Sequence, residues 1–197
     1  MSLGNGATQS SGGNANANNK GLRNKLAGQV GEYLVCAELG RRGLIATSFT
    51  GNVPEFDLIV ANSTLSTIPI QVKTSRGDNW PTNAGLWIDI EIDDENKRQI
   101  DNGDREIVNP DLIYVCVRLA EVESEVRDRF FILQKRDLQI ICARNYRTWI
   151  SQHDWKRPRN YRSLDNRYTV SDLEPFEKNW ELISESLTSQ ARKTCLR

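Results

Sequence analysis

The sequence predicts an α/β fold, a single domain in which a mixed sheet is flanked by helices. Three observations predict it. An apolar helical pattern opens the folded part, six short strand patterns follow it, and two further helical patterns close the chain. With 197 residues the chain is long enough for one domain with a sizeable core.

Residues 1–19 are almost entirely Gly, Ser, Asn, Ala, Thr and Gln. They bury too little apolar area to offset the entropy of ordering, so a leader without fixed structure is expected there. From Lys20 to Arg42 the apolar residues Leu22, Leu26, Val30, Tyr33, Leu34 and Ala37 recur every three or four positions, which predicts a helix with one buried stripe. Gly43 suits its C-terminal cap, with Arg41 and Arg42 at the negative end of the dipole. Gly28 and Gly31 weaken the helix, and their expected use is close approach of another backbone or a ligand.

Strands are expected at Leu44–Phe49, Phe56–Val60, Ile68–Thr74, Leu86–Ile92, Leu112–Leu119 and Arg129–Leu133. The fifth, LIYVCVRL, is nearly all apolar and reads as a buried strand. Asp137 is placed as the cap of a helix running to about Gln152. Ser171 with Glu174 gives an S-x-x-E start for a last helix ending near Leu187, with Pro175 in its first turn. Asp154–Thr169 reads as a loop. The domain is placed at residues 20–190, with 191–197 as a tail.

Composition narrows the function. Apolar residues make up 38% and charged residues 26%, no apolar run suits a membrane span, and no secretory signal opens the chain, so a soluble cytoplasmic protein is expected. Cys36, Cys116, Cys142 and Cys195 are scattered, which predicts reduced thiols rather than a zinc site. His153 is the only histidine, so chemistry that needs two imidazoles is excluded. The five tryptophans read as core or loop anchors.

Charge is uneven along a neutral chain. Asp89–Glu125 holds 12 acids and 4 bases, whereas Arg127–Arg167 holds 11 bases and 4 acids. The basic third either presents an anion-binding face or is a solvated surface with its counter-charges nearby in space. The acidic run DIEIDDE (89–95) lacks the glycine and spacing of a calcium loop and reads as a solvated edge.

The hairpin formed by the second and third strands carries the chemistry. A register symmetric about the loop ANSTLST pairs Val60 with Ile68, and therefore Asp57 with Gln71. Side chains two apart share a face, so Gln71 and Lys73 point the same way alongside Asp57, while Phe56, Leu58, Ile70 and Val72 point the other way. An acid, an amide and an amine thus gather on one side of an apolar hairpin. Two readings fit: an exposed face with an Asp57–Lys73 salt bridge, or a site, since buried charges need a partner or a metal.

GEYLVCAELGRRG, then PEFDLIV, then IQVKTS resembles the PD-(D/E)XK nuclease superfamily, in the branches whose third motif is Q-x-K, such as Mrr-type restriction and some intron-encoded homing endonucleases. The resemblance spans Gly28–Ser75 and implies a restriction-endonuclease-like α/β/α core, with a mixed central sheet flanked by helices. It further implies a Mg2+-dependent endonuclease, with Mn2+ as a substitute, acting on DNA as a homo-oligomer. By position, Asp57 would be the acidic metal ligand, Gln71 would replace the usual second acid, Lys73 would be the motif lysine, and Glu32 would match a glutamate on the first helix. The Val72 carbonyl would complete the metal set. Gln71 departs from the usual pattern by bringing one negative charge fewer. Ser75, Lys156, Arg157, Arg159 and Arg162 are the expected nucleic-acid contacts, the last four lying in KRPRNYR. The alternatives are a binding module of the same fold without chemistry and a protein-interaction scaffold.

Overall fold

In the computed structural model the described residues are 12–49, 55–122 and 125–195. Nine strands and four α-helices run in the order α1 (Gly12–Arg41), β1 (Ile45–Ser48), β2 (Leu58–Ala61), β3 (Thr67–Ser75), β4 (Asn79–Asn83), β5 (Ile88–Asp93), β6 (Arg98–Asp104), β7 (Ile113–Arg118), β8 (Arg129–Gln134), α2 (Lys135–Ser151), β9 (Asp165–Thr169), α3 (Val170–Leu173) and α4 (Glu181–Cys195). The central sheet has the order β1-β2-β3-β7-β8. It is mixed: β3 and β7 are parallel, and every other neighbouring pair is antiparallel. No helix among the described residues is long and apolar enough to cross a membrane.

Two cores sandwich this sheet. On one face Ala27, Val35 and Leu39 of α1 and Ile183 and Leu187 of α4 cover Leu58, Val60, Ile70, Val72, Val115 and Val117. On the other, α2 packs with Trp80, Trp87 and Tyr168 over Tyr114, Cys116, Phe131 and Leu133. Alternation along β7 explains the split, because each strand residue faces the layer opposite to its neighbour's. The all-apolar strand expected at 112–119 is this doubly covered β7.

Several expectations are corrected. The first helix begins at Gly12 rather than Lys20, and residues 1–11 of the expected leader lie outside the described residues. Once a helix is nucleated, each added residue gains a hydrogen bond, which lets a weak former continue it. The buried stripe of α1 is Ala27, Gly31, Val35 and Leu39, whereas Leu22, Leu26, Val30 and Tyr33 are 43–57% exposed. The cause is proximity. A Cβ on Gly31 would overlap the Thr74 hydroxyl on β3, so the small residues must face inward. Gly28 meets nothing, so only one of the two glycines serves close approach.

Asp137 is not the cap of α2 but its third residue, and it accepts from the Gln134 backbone N–H at 3.0 Å to close a capping box. The last expected helix is two. Thr169 caps the single turn α3, Pro175 sits in a 3-10 turn at Glu174–Phe176, and Lys178 takes a positive φ of 57° before α4 starts. Asp154–Thr169 is not all loop, since β9 pairs with β4. Gly43 caps α1 as expected, with φ +76°.

Candidate active site

The expected register is the one observed. Val60 pairs with Ile68 and Leu58 with Ile70, and the Asp57 N–H reaches the Ile70 carbonyl at 2.9 Å. Beyond Leu58 the β2–β3 ladder stops. The Val72 N–H, which a longer β2 would have paired, donates instead to Asp57 Oδ2 at 2.7 Å. The Gln71 side-chain amide N–H donates to the same oxygen. The N–H and C=O of one strand residue point to the same edge, so the Val72 carbonyl also faces the gap where β2 leaves β3. Asp57 is half-buried and Gln71 only 7% exposed, while Lys73 is exposed.

Glu32 arrives from α1, whose close seat on Thr74 sets its distance from β3. Its carboxyl is pushed up from the ordinary value, first by burial and then by the negative charge of Asp57. Among the described residues no ion pair engages either carboxylate. The Asp57–Lys73 salt bridge that one reading of the hairpin required is therefore not formed. Two mutually repelling carboxylates with no cation beside them attract one. No group of three His, Cys, Asp or Glu residues gathers among the described residues, so a cation here must also use amide and carbonyl oxygens. The groups on hand are the Asp57 carboxylate, the Gln71 side chain with its amide turned end for end, and the Val72 carbonyl. Oxygen donors of this kind fit Mg2+ or Mn2+.

The strand end beyond Lys73 is braced. Trp80 Nε1 donates to the Lys73 carbonyl at 3.0 Å, and Trp80 stacks on Tyr168 at 5.5 Å. Ser75 Oγ donates to the Asn79 carbonyl at 2.7 Å and accepts from the Gly77 N–H at 3.1 Å, so this hydroxyl holds a turn rather than standing free for phosphate.

The other expected nucleic-acid contacts divide. Arg157 turns inward: it donates to the Ser163 and Asp165 carbonyls and lies over Trp149 at 4.7 Å. Arg162 pairs with Asp94 and donates to the Tyr161 hydroxyl. Lys156 and Arg159 are exposed. No hydrogen bond or ion pair among the described residues links this segment to Asp57, Gln71 or Lys73.

The charge asymmetry of the sequence is partly offset in space. Arg147 grips Asp101 and Asp104, Arg162 reaches Asp94 and Arg136 reaches Asp111, so part of the basic third faces part of the acidic one. His153 packs against Trp149 at 4.7 Å. Cys36, Cys116 and Cys142 are free thiols, and burial pushes Cys116 up to about 12.

Tyr114 is the neighbour that sequence reasoning missed. It pairs with Gln71 across the parallel β3–β7 ladder and faces the same layer. The alternation of Tyr114 and Cys116 in LIYVCVRL was visible, but only the β3–β7 register places it beside Gln71.

No family model matches the chain, and no curated protein does. Among solved structures it is similar to a bacterial homing endonuclease, I-Ssp6803I, with 13% identity, 85% of this chain and 97% of that chain covered, and a TM-score of 0.47. It is also similar to Hjc, a Holliday junction resolvase from Archaeoglobus fulgidus, with 13% identity, 75% and 93% covered, and a TM-score of 0.35.

Proposed function

We propose that the chain is a metal-dependent endonuclease that hydrolyses DNA phosphodiesters where β2 leaves β3. One observation carries the reading: the carboxylates Asp57 and Glu32, close enough to repel and with no cation paired to them, meet where β2 leaves β3, and the Gln71 side chain and the Val72 N–H engage Asp57 there. Asp57, Gln71 and the Val72 carbonyl would hold Mg2+ or Mn2+. The bound ion supplies a lowered pKa for a water and polarisation of the phosphate.

The chain's own groups do the rest. Lys73 neutralises charge building on the phosphate and orients the attacking water. Glu32 accepts a hydrogen bond from water at the edge of the site. Gln71 adds an oxygen but no charge, so it holds the ion less tightly than an acid would. Lys156 and Arg159 are the cations of KRPRNYR left free to meet phosphates, and two copies of the chain would bring one site to each strand.

A second reading has its own support. Asp57 Oδ2 already receives two N–H donors, an arrangement a binding module without chemistry could keep. Calorimetric titration of Mg2+ and Mn2+ into wild type and Asp57→Ala, with plasmid DNA incubated in parallel, separates the two. The nuclease reading expects metal binding and nicking, both lost in Asp57→Ala, with cleavage down by more than about a thousandfold. Salt-sensitive DNA binding with no cleavage under either ion establishes the binding module instead.

A further inference from the structure

Tyr114 lies in the layer that holds Gln71 and Lys73. In the β3–β7 ladder it stands opposite Gln71, and its ring is packed, with 9% of the residue exposed. Its hydroxyl makes no hydrogen bond among the described residues. Yet the only described side-chain oxygen or nitrogen that is both buried and without a partner is Thr74 Oγ1. The Tyr114 hydroxyl therefore reaches solvent from an otherwise buried ring. The phenol O–H is a neutral hydrogen-bond donor. A packed ring that carries one unbonded O–H on the strand position beside Gln71 has the form of a preset donor.

We propose that the Tyr114 hydroxyl is a substrate contact, donating a hydrogen bond to a non-bridging oxygen of the phosphodiester held at Asp57 and Lys73. The proposal rests on the nuclease reading. It assigns Tyr114 a contact with the phosphate and none with the metal, so the two functions come apart on substitution.

The test compares wild type and Tyr114→Phe, which keeps the ring and its packing. One substrate is an oligonucleotide duplex with an ordinary scissile phosphate. Two others carry a methylphosphonate at one or the other non-bridging position. The expected result is unchanged Tm and Mn2+ affinity, with kcat/KM on the ordinary duplex down about 10–100-fold. On one methylphosphonate isomer, which lacks the accepting oxygen, the ratio of wild type to variant should fall to about one. Equal cleavage of the ordinary duplex by both proteins overturns the proposal and leaves the nuclease reading intact. A defect that persists on both isomers also overturns it, because the role is then structural. Wild type that cleaves nothing with either ion overturns the nuclease reading, and the proposal with it.

Discussion

Two polar regions of this molecule use the same kinds of side chain to opposite ends. Around Gln99, which is fully buried, every polar group is met: its amide donates to the Tyr161 and Ser163 carbonyls at 2.6 and 3.0 Å, and its oxygen accepts from the Tyr146 hydroxyl at 2.5 Å. Arg147 nearby holds Asp101 and Asp104, and Arg157 ties the following loop. Around Asp57 the demand is left over. Asp57 at the edge of β3 and Glu32 on α1 repel each other with no cation paired to them, and Thr74 Oγ1 is buried against α1 without a partner. A satisfied network fixes structure, whereas leftover demand of one sign marks where something else is meant to bind.

The comparison breaks most visibly at Gln99. Gln99→Ala strands the Tyr161 carbonyl, leaves the Tyr146 hydroxyl only its 3.4 Å contact with the Ser163 carbonyl and loosens the segment from Tyr161 to Ser163, so it should cost about 2–4 kcal/mol. For a chain of this size that lowers Tm by about 4–16 °C. Calorimetric or optical melting checks it, and an unchanged Tm would mean the network is not structural. Metal binding at Asp57 should survive the change.

On the other side the seat of α1 is the sensitive point. Gly31→Ala places a methyl group into the Thr74 hydroxyl, and overpacking of this kind costs about 1–3 kcal/mol. The same shift lifts Glu32 away from Asp57, so Mn2+ affinity should fall together with Tm. Combining it with Thr74→Ala should return part of both losses, which a double-mutant cycle measures. Additive losses would show that the two residues do not meet.

How much of this was legible depended on the range of each interaction. The β2–β3 register could be read because hairpin pairing is local: a symmetric loop and alternating side chains leave one solution. The placement of Asp57 against Gln71 followed from it. The seat of α1 could not be read this way, because the largest apolar residues, Leu22, Leu26 and Tyr33, lie outside and the inward stripe is chosen by how closely Gly31 approaches Thr74. Strands β4 and β9 are polar (NWPTN, DNRYT) and form only as each other's distant partner, while polar β6 (RQIDNGD) pairs with β5 just before it. Charge misled in a similar way, for Arg147 and Asp101 are far apart in sequence but bonded in space. The partners that Arg157 and Arg162 take, the Ser163 carbonyl and Asp94, could not be read from the sequence either.

The smallest expected effect is the most specific to the contrast. Glu32 has its pKa raised above 4.5 by burial and by Asp57, so the folded chain holds that proton more tightly than the unfolded one. The stabilisation from this group is complete below pH 4.5 and is lost as pH rises through the raised folded value. At pH 7 the ionised Glu32 therefore weighs against the folded, metal-free protein. Glu32→Gln should raise Tm in EDTA at pH 7 by on the order of 1–3 °C and leave it unchanged at pH 4. With Mn2+ present the sign reverses, because the cation gains from the charge that the substitution removes. No structural network behaves so: Gln99→Ala lowers Tm at both pH values, with or without metal. A Glu32→Gln variant that loses stability in EDTA at pH 7 would place Glu32 with Gln99 among the satisfied groups and remove it from the site.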